Sequence, residues 1–353
     1  MIELDLRIRR GQFELAVSHS SDAGVVGVFG PSGSGKTTLL NCIAGVARAD
    51  AGRIAVGDRV LFDSKSGIDV AMESRRIGYV FQDSLLFPHM SVRENLVYGR
   101  PRAGSGPALE DVIMALELDG LLDRRPSELS GGEQRRVSVG RAILSNPGVL
   151  LFDEPLTGLD SALASRVLAR LKRVLTQFAI PSLYVSHTVS DMLFLCDEVI
   201  ALRTGQVVAR GAARDVLMTG GVLAPSHWAE LRNVFTARTL ERRQAEGEAT
   251  AVCRVGDVDL VVFAGEGIAD APTLSVHAAD IVLSREKPGG LSARNVFPAK
   301  VESVVASGEK RLILADAGER WMVEVSAAAI RELGLSPGTP IFLILKTSSI
   351  RVC

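Results

Sequence analysis

The stretch Gly30-Pro31-Ser32-Gly33-Ser34-Gly35-Lys36-Thr37 holds the residue types that grip a chain of phosphates. Glycines let the backbone curl until successive N–H groups point inward at anionic oxygens. Lys36 adds a point charge, and the Thr37 hydroxyl is of the kind that ligates Mg2+ beside a phosphate. An ordinary Gly/Ser surface loop has a similar composition. Position sets this one apart: it follows an apolar run at 25–29 and precedes a helical pattern at 37–44. A helix N-terminus then adds its partial positive charge to the loop.

Val149-Leu150-Leu151-Phe152-Asp153-Glu154 places two carboxylates at the exit of another apolar run. In open α/β sheets, ligands bind at the carboxyl ends of the strands. There Asp153 suits Mg2+ or its waters, and Glu154 suits the orientation and deprotonation of an attacking water. A turn and helix cap would use the same residues; the phosphate loop upstream decides for chemistry. Leu129-Ser130-Gly131-Gly132-Glu133-Gln134-Arg135-Arg136 is a second Gly-rich turn opening a helix, again an anion site. It reads equally as an N-cap at Ser130 closed by Glu133 in a capping box. The two readings are compatible.

These residues need a scaffold. Up to about Gly211, short apolar runs alternate with longer helical patterns, the mark of a mainly parallel sheet covered by helices. Runs at 25–29, 149–152 and 183–185 are expected as buried strands, the last ending at Ser186-His187. Residues 161–177 have helical spacing, with Leu163, Val167, Leu168, Leu171, Val174 and Leu175 in one stripe. Residues 228–244, rich in Arg and Glu, read as helix plus linker. From Ala251 the period shortens, giving strands at 258–263, 275–283, 297–305, 311–315, 321–325 and 341–352. One helix at 327–333 ends at Gly334. This is an all-β second domain, a small barrel. Segment 277–282 echoes 346–351, but the match is short enough to read as coincidence.

The 353 residues suffice for two domains. Lys plus Arg number 40 against 41 Asp plus Glu, a formal net charge of -1, which removes the electrostatic case for nucleic acid as the main partner. Aromatic residues, at 5%, argue against base-stacking platforms. Apolar runs are strand-sized, short of the ~18 residues of a spanning helix. The start, Met1-Ile2-Glu3-Leu4-Asp5, has no secretory apolar region. Cys42, Cys196, Cys253 and Cys353 are scattered, which fits a reduced compartment without a metal knuckle.

Taken together, the motifs resemble those of the ATP-binding-cassette (ABC) ATPases over residues 1–230. Residues 30–37 resemble the phosphate loop and 129–134 the signature motif. Gln82, in Tyr79-Val80-Phe81-Gln82-Asp83, resembles the Q-loop glutamine, Leu159-Asp160 the D-loop, and His187 the switch histidine. The resemblance implies ATP and Mg2+ as cofactors. Nucleotide contacts would come from Gly30, Pro31, Ser32, Gly33, Ser34, Gly35, Lys36, Thr37, Thr38, Ser130, Gly131, Gly132 and Asp160. Metal contacts would come from Thr37, Gln82 and Asp153, and catalysis from Glu154 with His187, Lys36 and Gln82. It also implies a head-to-tail homodimer, in which ATP at Lys36 of one subunit is capped by the signature of the other. Closure would expel water and couple hydrolysis to reopening. Family members often stack a Tyr or Trp on adenine; the nearest aromatic here is Phe13.

No membrane span is fused, one cassette is present, and no long coiled coil separates the loop from the signature. These features disfavour exporters, translation factors and repair ATPases. An importer ATPase that docks on two membrane-spanning permease subunits remains, with Gln82 through Val97 facing them. The tail sharpens this. Leu291-Ser292-Ala293-Arg294-Asn295-Val296-Phe297-Pro298-Ala299-Lys300-Val301 resembles the opening of the molybdate-binding (Mop) domain, and Lys346-Thr347-Ser348-Ser349-Ile350 its closing strand. Arg75-Arg76-Ile77-Gly78-Tyr79-Val80-Phe81-Gln82-Asp83 with Leu86-Phe87-Pro88-His89 resembles molybdate-importer ATPases. The implied architecture is an α/β ABC-type P-loop ATPase domain over 1–230, a linker and the start of a β-rich tail over 231–289, and an OB-like (Mop) barrel over 290–353. Molybdate or tungstate would meet Ser292, Arg294, Asn295, Lys346 and Ser348. The implied function is the ATP-hydrolysing subunit of a bacterial molybdate importer. It would be peripheral on the cytoplasmic face of the inner membrane and served by a periplasmic molybdate-binding protein. An importer for sulfate or a sugar, or an intracellular oxyanion sensor, are the alternatives.

Overall fold

The computed structural model describes residues 1–101, 106–159, 161–218, 222, 231–245, 248–264, 268–307 and 310–352, without side-chain detail at 161, 162, 245, 307 and 310. The chain divides into two compact units, Met1–His187 with Asp191–Leu217 and Thr188–Ser190 with Met218–Cys353.

The first unit runs β1 (Ile2–Arg10), β2 (Phe13–Ser21), β3 (Val25–Phe29), α1 (Lys36–Ala44), β4 (Ala51–Val56), β5 (Arg59–Asp63), β6 (Ile68–Asp69), β7 (Ile77–Val80), α2 (Val92–Val97), α3 (Leu109–Leu116), α4 (Gly131–Leu144), β8 (Val149–Asp153), α5 (Ser161–Phe178), β9 (Ser182–Ser186), α6 (Val189–Leu195), β10 (Glu198–Arg203), β11 (Gln206–Ala212) and α7 (Ala213–Met218). Its strands form one sheet, ordered β6-β5-β4-β1-β2-β11-β10-β3-β9-β8-β7 among the described residues. Strands β3, β8 and β9 are buried at every position, as continuous apolar runs covered on both faces should be. They and their neighbours β7 and β10 pair in parallel. The expectation of a mainly parallel sheet needs correction, because β1, β2, β4, β5 and β6 form an antiparallel arm. Its hairpin strand β1 alternates, burying Ile2, Leu4, Leu6 and Ile8 and exposing Asp5 and Arg7, as a strand with one wet face does. Helix α5 buries the expected stripe Val167, Leu168, Leu171, Val174 and Leu175, with Leu163 half-buried.

The second unit runs β12 (Arg232–Thr236), β13 (Arg238–Ala245), β14 (Glu248–Val255), β15 (Val258–Phe263), β16 (Thr273–His277), β17 (Val282–Ser284), β18 (Asn295–Ser307), β19 (Lys310–Asp316), β20 (Arg320–Ser326), α8 (Ala327–Glu332), β21 (Pro340–Leu345) and β22 (Ile350–Val352). It packs around one core that includes Leu260, Leu274, Val301, Trp321 and Leu343. The helix expected at 228–244 is not there: 228–230 lie outside the described residues, and the rest forms β12 and β13. Among the described residues strand β13 is paired only with β14, and its exposed Arg and Glu residues protect an open edge. A charged edge strand lacks the alternation that marks a half-buried one, which is why it read as a solvated helix. The strands expected at 275–283 and 341–352 are each broken by a short 3-10 turn, at Ala278–Asp280 and Thr347–Ser349.

Those two turns overturn the reading of the 277–282 and 346–351 echo as coincidence. A shift of 69 positions carries one turn onto the other. A shift of 62 carries Arg232-Asn233-Val234-Phe235 onto Arg294-Asn295-Val296-Phe297, and Gly256 onto Gly318. The tail is a tandem duplication with pseudo-twofold symmetry. The last short strand of each half pairs with the sheet of the other: β22 lies on β16, and β17 on β21. The Asn295 side chain accepts from the Val261 N–H at 2.7 Å and donates to the Val261 carbonyl at 3.0 Å. Asn233 does the same to Met322, at 2.7 and 2.8 Å. A Cβ on Gly256 would meet the Gly318 backbone at 2.9 Å, and one on Gly318 the Asp257 backbone at 2.7 Å. Such reciprocal contacts are those of a twofold interface.

Either Asn is expected to hold the halves together. Asn295→Ala leaves the part-buried N–H and C=O of Val261 without their partner, at about 1–3 kcal/mol for each. Thermal unfolding of the variant should show the tail destabilised by at least about 2 kcal/mol. A melt that overlays the parent would remove Asn295 from this role.

Candidate active site

Parallel pairing aligns three strand ends. Phe29 of β3 stands opposite Ser186 of β9, and Val185 of β9 opposite Asp153 of β8. The phosphate loop, the carboxylate pair and His187 therefore leave one edge of the sheet together. This is the crevice edge where ligands bind in such folds.

Gly30 leaves β3 with no room for a side chain, since a Cβ there would lie 2.3 Å from the Leu202 carbonyl oxygen. The loop then curls into α1. Lys36 is buried, and its ammonium donates to the carbonyls of Gly30 at 2.8 Å and Pro31 at 3.1 Å. It lies 3.8 Å from Glu154 Oε1. Burial lowers the Lys36 pKa, against the pull of the Glu154 and Asp153 carboxylates. The Ser34 hydroxyl is buried without a hydrogen-bond partner. A buried orphan hydroxyl is costly, and an anionic oxygen in the loop would satisfy it. Gly35 has a φ of +102°, and a Cβ there would lie 3.0 Å from the Phe13 ring, so Phe13 borders the loop. Ser32, Gly33 and Thr37 are exposed and Thr38 is half-buried.

The Thr37 hydroxyl donates to Asp153 Oδ1 at 3.2 Å, and the Tyr79 hydroxyl donates to Asp153 Oδ2 at 3.3 Å. Burial raises the Asp153 pKa, and these two donors oppose the rise. The sequence motifs do not single out Tyr79 as a site residue. Its i, i+2 spacing to Phe81, beside Gln82, is the only sequence signal for it; in the structure the two rings stack at 4.0 Å. A hydroxyl and a carboxylate this close are the hard oxygen donors Mg2+ takes when phosphates supply the rest. No cluster of three or more His, Cys, Asp or Glu side chains is placed to hold a metal among the described residues. Thr37 and Asp153 are the residues that would hold an Mg2+ ion beside phosphate oxygens. Gln82 follows β7 on an exposed segment.

Glu154 takes a φ of +46°, a left-handed conformation that turns the chain sharply at the strand end. Its Oε2 lies 3.1 Å from His187 Nδ1 and accepts from the Thr157 hydroxyl at 3.2 Å. The base candidate is thus held between Lys36, Thr157 and His187. Asp160 lies outside the described residues.

Ser130 caps α4. Its hydroxyl accepts from the Glu133 N–H at 3.4 Å, and its own N–H donates to Glu133 Oε2 at 2.7 Å. Both the capping box and an exposed Gly-rich turn are present; Ser130 and Gly131 are exposed, and Gly132 is buried against Leu163. Within this chain the signature and the phosphate loop are separate features, each with its own helix.

In the tail, the cross-strand pair Asn295–Leu345 brings 292–295 and 346–348 to one end of a sheet. Ser292, Arg294, Lys346 and Ser348 are exposed there. Asn295 is corrected: it is buried, and its amide is committed to Val261, so it bridges the two halves and does not present its side chain to an anion.

A family model for ABC transporters matches residues 17–157, and one for the TOBE domain matches residues 291–352. The molybdenum import ATP-binding protein ModC of Paramagnetospirillum magneticum is 40% identical over 99% of this chain and 98% of its own length. That of Rhodospirillum rubrum is 36% identical over 99% and 97%, and that of Brucella abortus 38% over 99% and 97%. Among solved structures, a nucleotide-free ATP-binding cassette from an ABC transporter matches with a TM-score of 0.53 and 27% identity, over 63% of this chain and 96% of its own. A dimeric post-hydrolysis cassette bound to ADP and Pi matches with a TM-score of 0.50 and 26% identity, over 61% and 99%. No helix among the described residues is long and apolar enough to cross a membrane.

Proposed function

This chain belongs to the molybdenum import ATP-binding proteins of the ABC transporters, and from that premise we propose how its residues divide the work. It is the ATP-hydrolysing subunit of a molybdate import transporter and acts as a dimer with permease subunits. The observation that carries the catalytic assignment is the 3.1 Å contact of Glu154 with His187, beside the Thr37–Asp153 pair. Glu154 takes the proton of the attacking water, and His187 orients the carboxylate. Lys36 leaves the carbonyls of Gly30 and Pro31 for the β- and γ-phosphates, and Ser34 gains its missing partner. Thr37 and Asp153, with Gln82, would hold Mg2+, which would supply charge neutralisation for those phosphates. Ser130, Gly131 and Gly132 cap the nucleotide of the second subunit.

Phe81, Leu85, Val97 and Tyr98 are large apolar side chains left exposed along one stretch of sequence. They support this stretch as the permease contact. The chain then sits on the cytoplasmic face of the inner membrane, supplied from outside by a molybdate-binding protein. The tail is the site of feedback: molybdate or tungstate at Ser292, Arg294, Lys346 and Ser348 favours the open dimer. A coupling of ~1–3 kcal/mol shifts affinity roughly 5–150-fold, enough to throttle uptake. The test is transport by the reconstituted complex with molybdate on the cytosolic side. Inhibition is expected, and it should vanish in the Ser292→Ala/Lys346→Ala/Ser348→Ala variant. Unchanged transport at millimolar internal anion would leave the tail a purely structural lobe.

A further inference from the structure

Helix α4 opens on the signature and carries a buried cation shortly after it. Arg135 is only 6% exposed. Its Nη1 donates to the Phe81 carbonyl at 2.9 Å, and its buried Nε has no hydrogen-bond partner. Burial disfavours its charge, and the acid that opposes this is Asp83, on an exposed stretch of chain.

Arg75 shows what a buried arginine kept for the fold looks like. It is 4% exposed and paired with Asp69 at 3.0 Å. It also donates to the carbonyls of Val70, Cys42 and Ile43, at 2.8, 2.7 and 2.8 Å. Arg135 has no such compensation. A buried charge held by one bond is a net cost to the fold, so stability does not account for it.

The atom that Arg135 holds does account for it. The Phe81 carbonyl and the Gln82 N–H belong to one planar peptide unit, so a donor that fixes the first orients the second. The Phe81 ring is fixed as well, stacked on Tyr79 at 4.0 Å with 14° between the planes. Tyr79 in turn bonds Asp153. Gln82 and Asp83 beyond this point are exposed. Phe81 is thus the anchored residue from which Gln82 departs.

We propose that Arg135 is a positioning residue for hydrolysis: from the signature helix it holds the Phe81 carbonyl and so aims Gln82 at the phosphate-loop edge of the sheet. The helix that caps the partner's nucleotide thereby also sets the Gln82 geometry of its own chain. This rests on the reading of Gln82 as a site residue.

The test is ATP hydrolysis and thermal unfolding of the full chain carrying Arg135→Met, Gln82→Ala, or both. Arg135→Met removes the buried charge and keeps a long apolar stem. The carbonyl it frees is only partly buried, within reach of water. The melting temperature should therefore hold or rise. Misplacement by about 1 Å can lose about 10²-fold in rate, so kcat should fall at least about tenfold with KM for ATP unchanged. Arg135→Lys keeps a cation able to donate to Phe81 and should restore part of the rate. Because Arg135 acts through Gln82, the double variant should be no slower than Gln82→Ala alone. Losses that multiply, or parental turnover by Arg135→Met, would overturn the proposal and leave the reading of Gln82 standing. Should the Met variant fail to fold, the Lys variant carries the same cycle, and losses that multiply there would overturn the proposal equally. Parental hydrolysis by Gln82→Ala would overturn both.

Discussion

Glu154→Gln should bind ATP and fail to turn it over. The substitution keeps the size of the side chain and an oxygen able to accept from Thr157, now 3.2 Å away. It keeps a polar partner for His187, now at 3.1 Å. What it removes is the capacity to take a proton from water. General base catalysis is typically worth 10²–10⁴-fold, so kcat should fall by about that factor while nucleotide affinity holds. A dimer that closes on ATP and reopens on hydrolysis should then accumulate in its closed form, visible as a shift in gel filtration with ATP. Near-parental hydrolysis would take the role of base away from Glu154. Loss of ATP binding would point instead to its 3.8 Å contact with Lys36 as the feature that matters.

Ser130→Arg should abolish hydrolysis and leave nucleotide binding to the isolated subunit intact. Ser130 is exposed on its own helix, and its local bonds run to Glu133. Losing the cap costs about 1 kcal/mol, which the fold can tolerate. Lost donors at a developing charge cost about 10²–10³-fold in rate, and a bulky Arg also blocks closure. Mixing this subunit with Lys36→Ala separates cis from trans. The mixed dimer has one composite site with both defects and one with neither, and hydrolysis at the intact site should recover part of the activity. Weakened ATP binding by the isolated Ser130→Arg subunit would contradict the shared site.

The cassette motifs were legible because each is a contiguous string whose backbone does the chemistry. The loop at 30–37 needs only its glycines, Lys36 and the strand and helix on either side. The apolar runs at 25–29 and 149–152 likewise announce themselves, since a strand buried on both faces must be apolar throughout. Phe13 is the nearest aromatic in sequence, but its place beside Gly35 depends on how the β1–β2 hairpin folds back over the loop. The sequence shows Tyr79 only as a neighbour of Gln82, because its bond to Asp153 joins residues far apart in the chain.

In the tail, sequence determined that there would be short strands, where many of them run, and that 291–301 and 346–350 mattered. It did not reveal the duplication. Four shared residues at 232–235 and 294–297, and a faint echo at the turns, are weak signals in a string. They become strong once they occupy equivalent places: two Asn side chains reaching across to opposite strands, two glycine turns in mutual contact, two terminal strands exchanged. Such symmetry is a relation between positions in space, and only side chains at the crossing points are constrained by it. The same reason explains Asn295. Its type and neighbours suggested an anion contact, but a buried amide must find partners, and the fold placed the Val261 N–H and C=O within reach. Local sequence specified the groups that can do chemistry; the tertiary structure decided which of them are left free to do it.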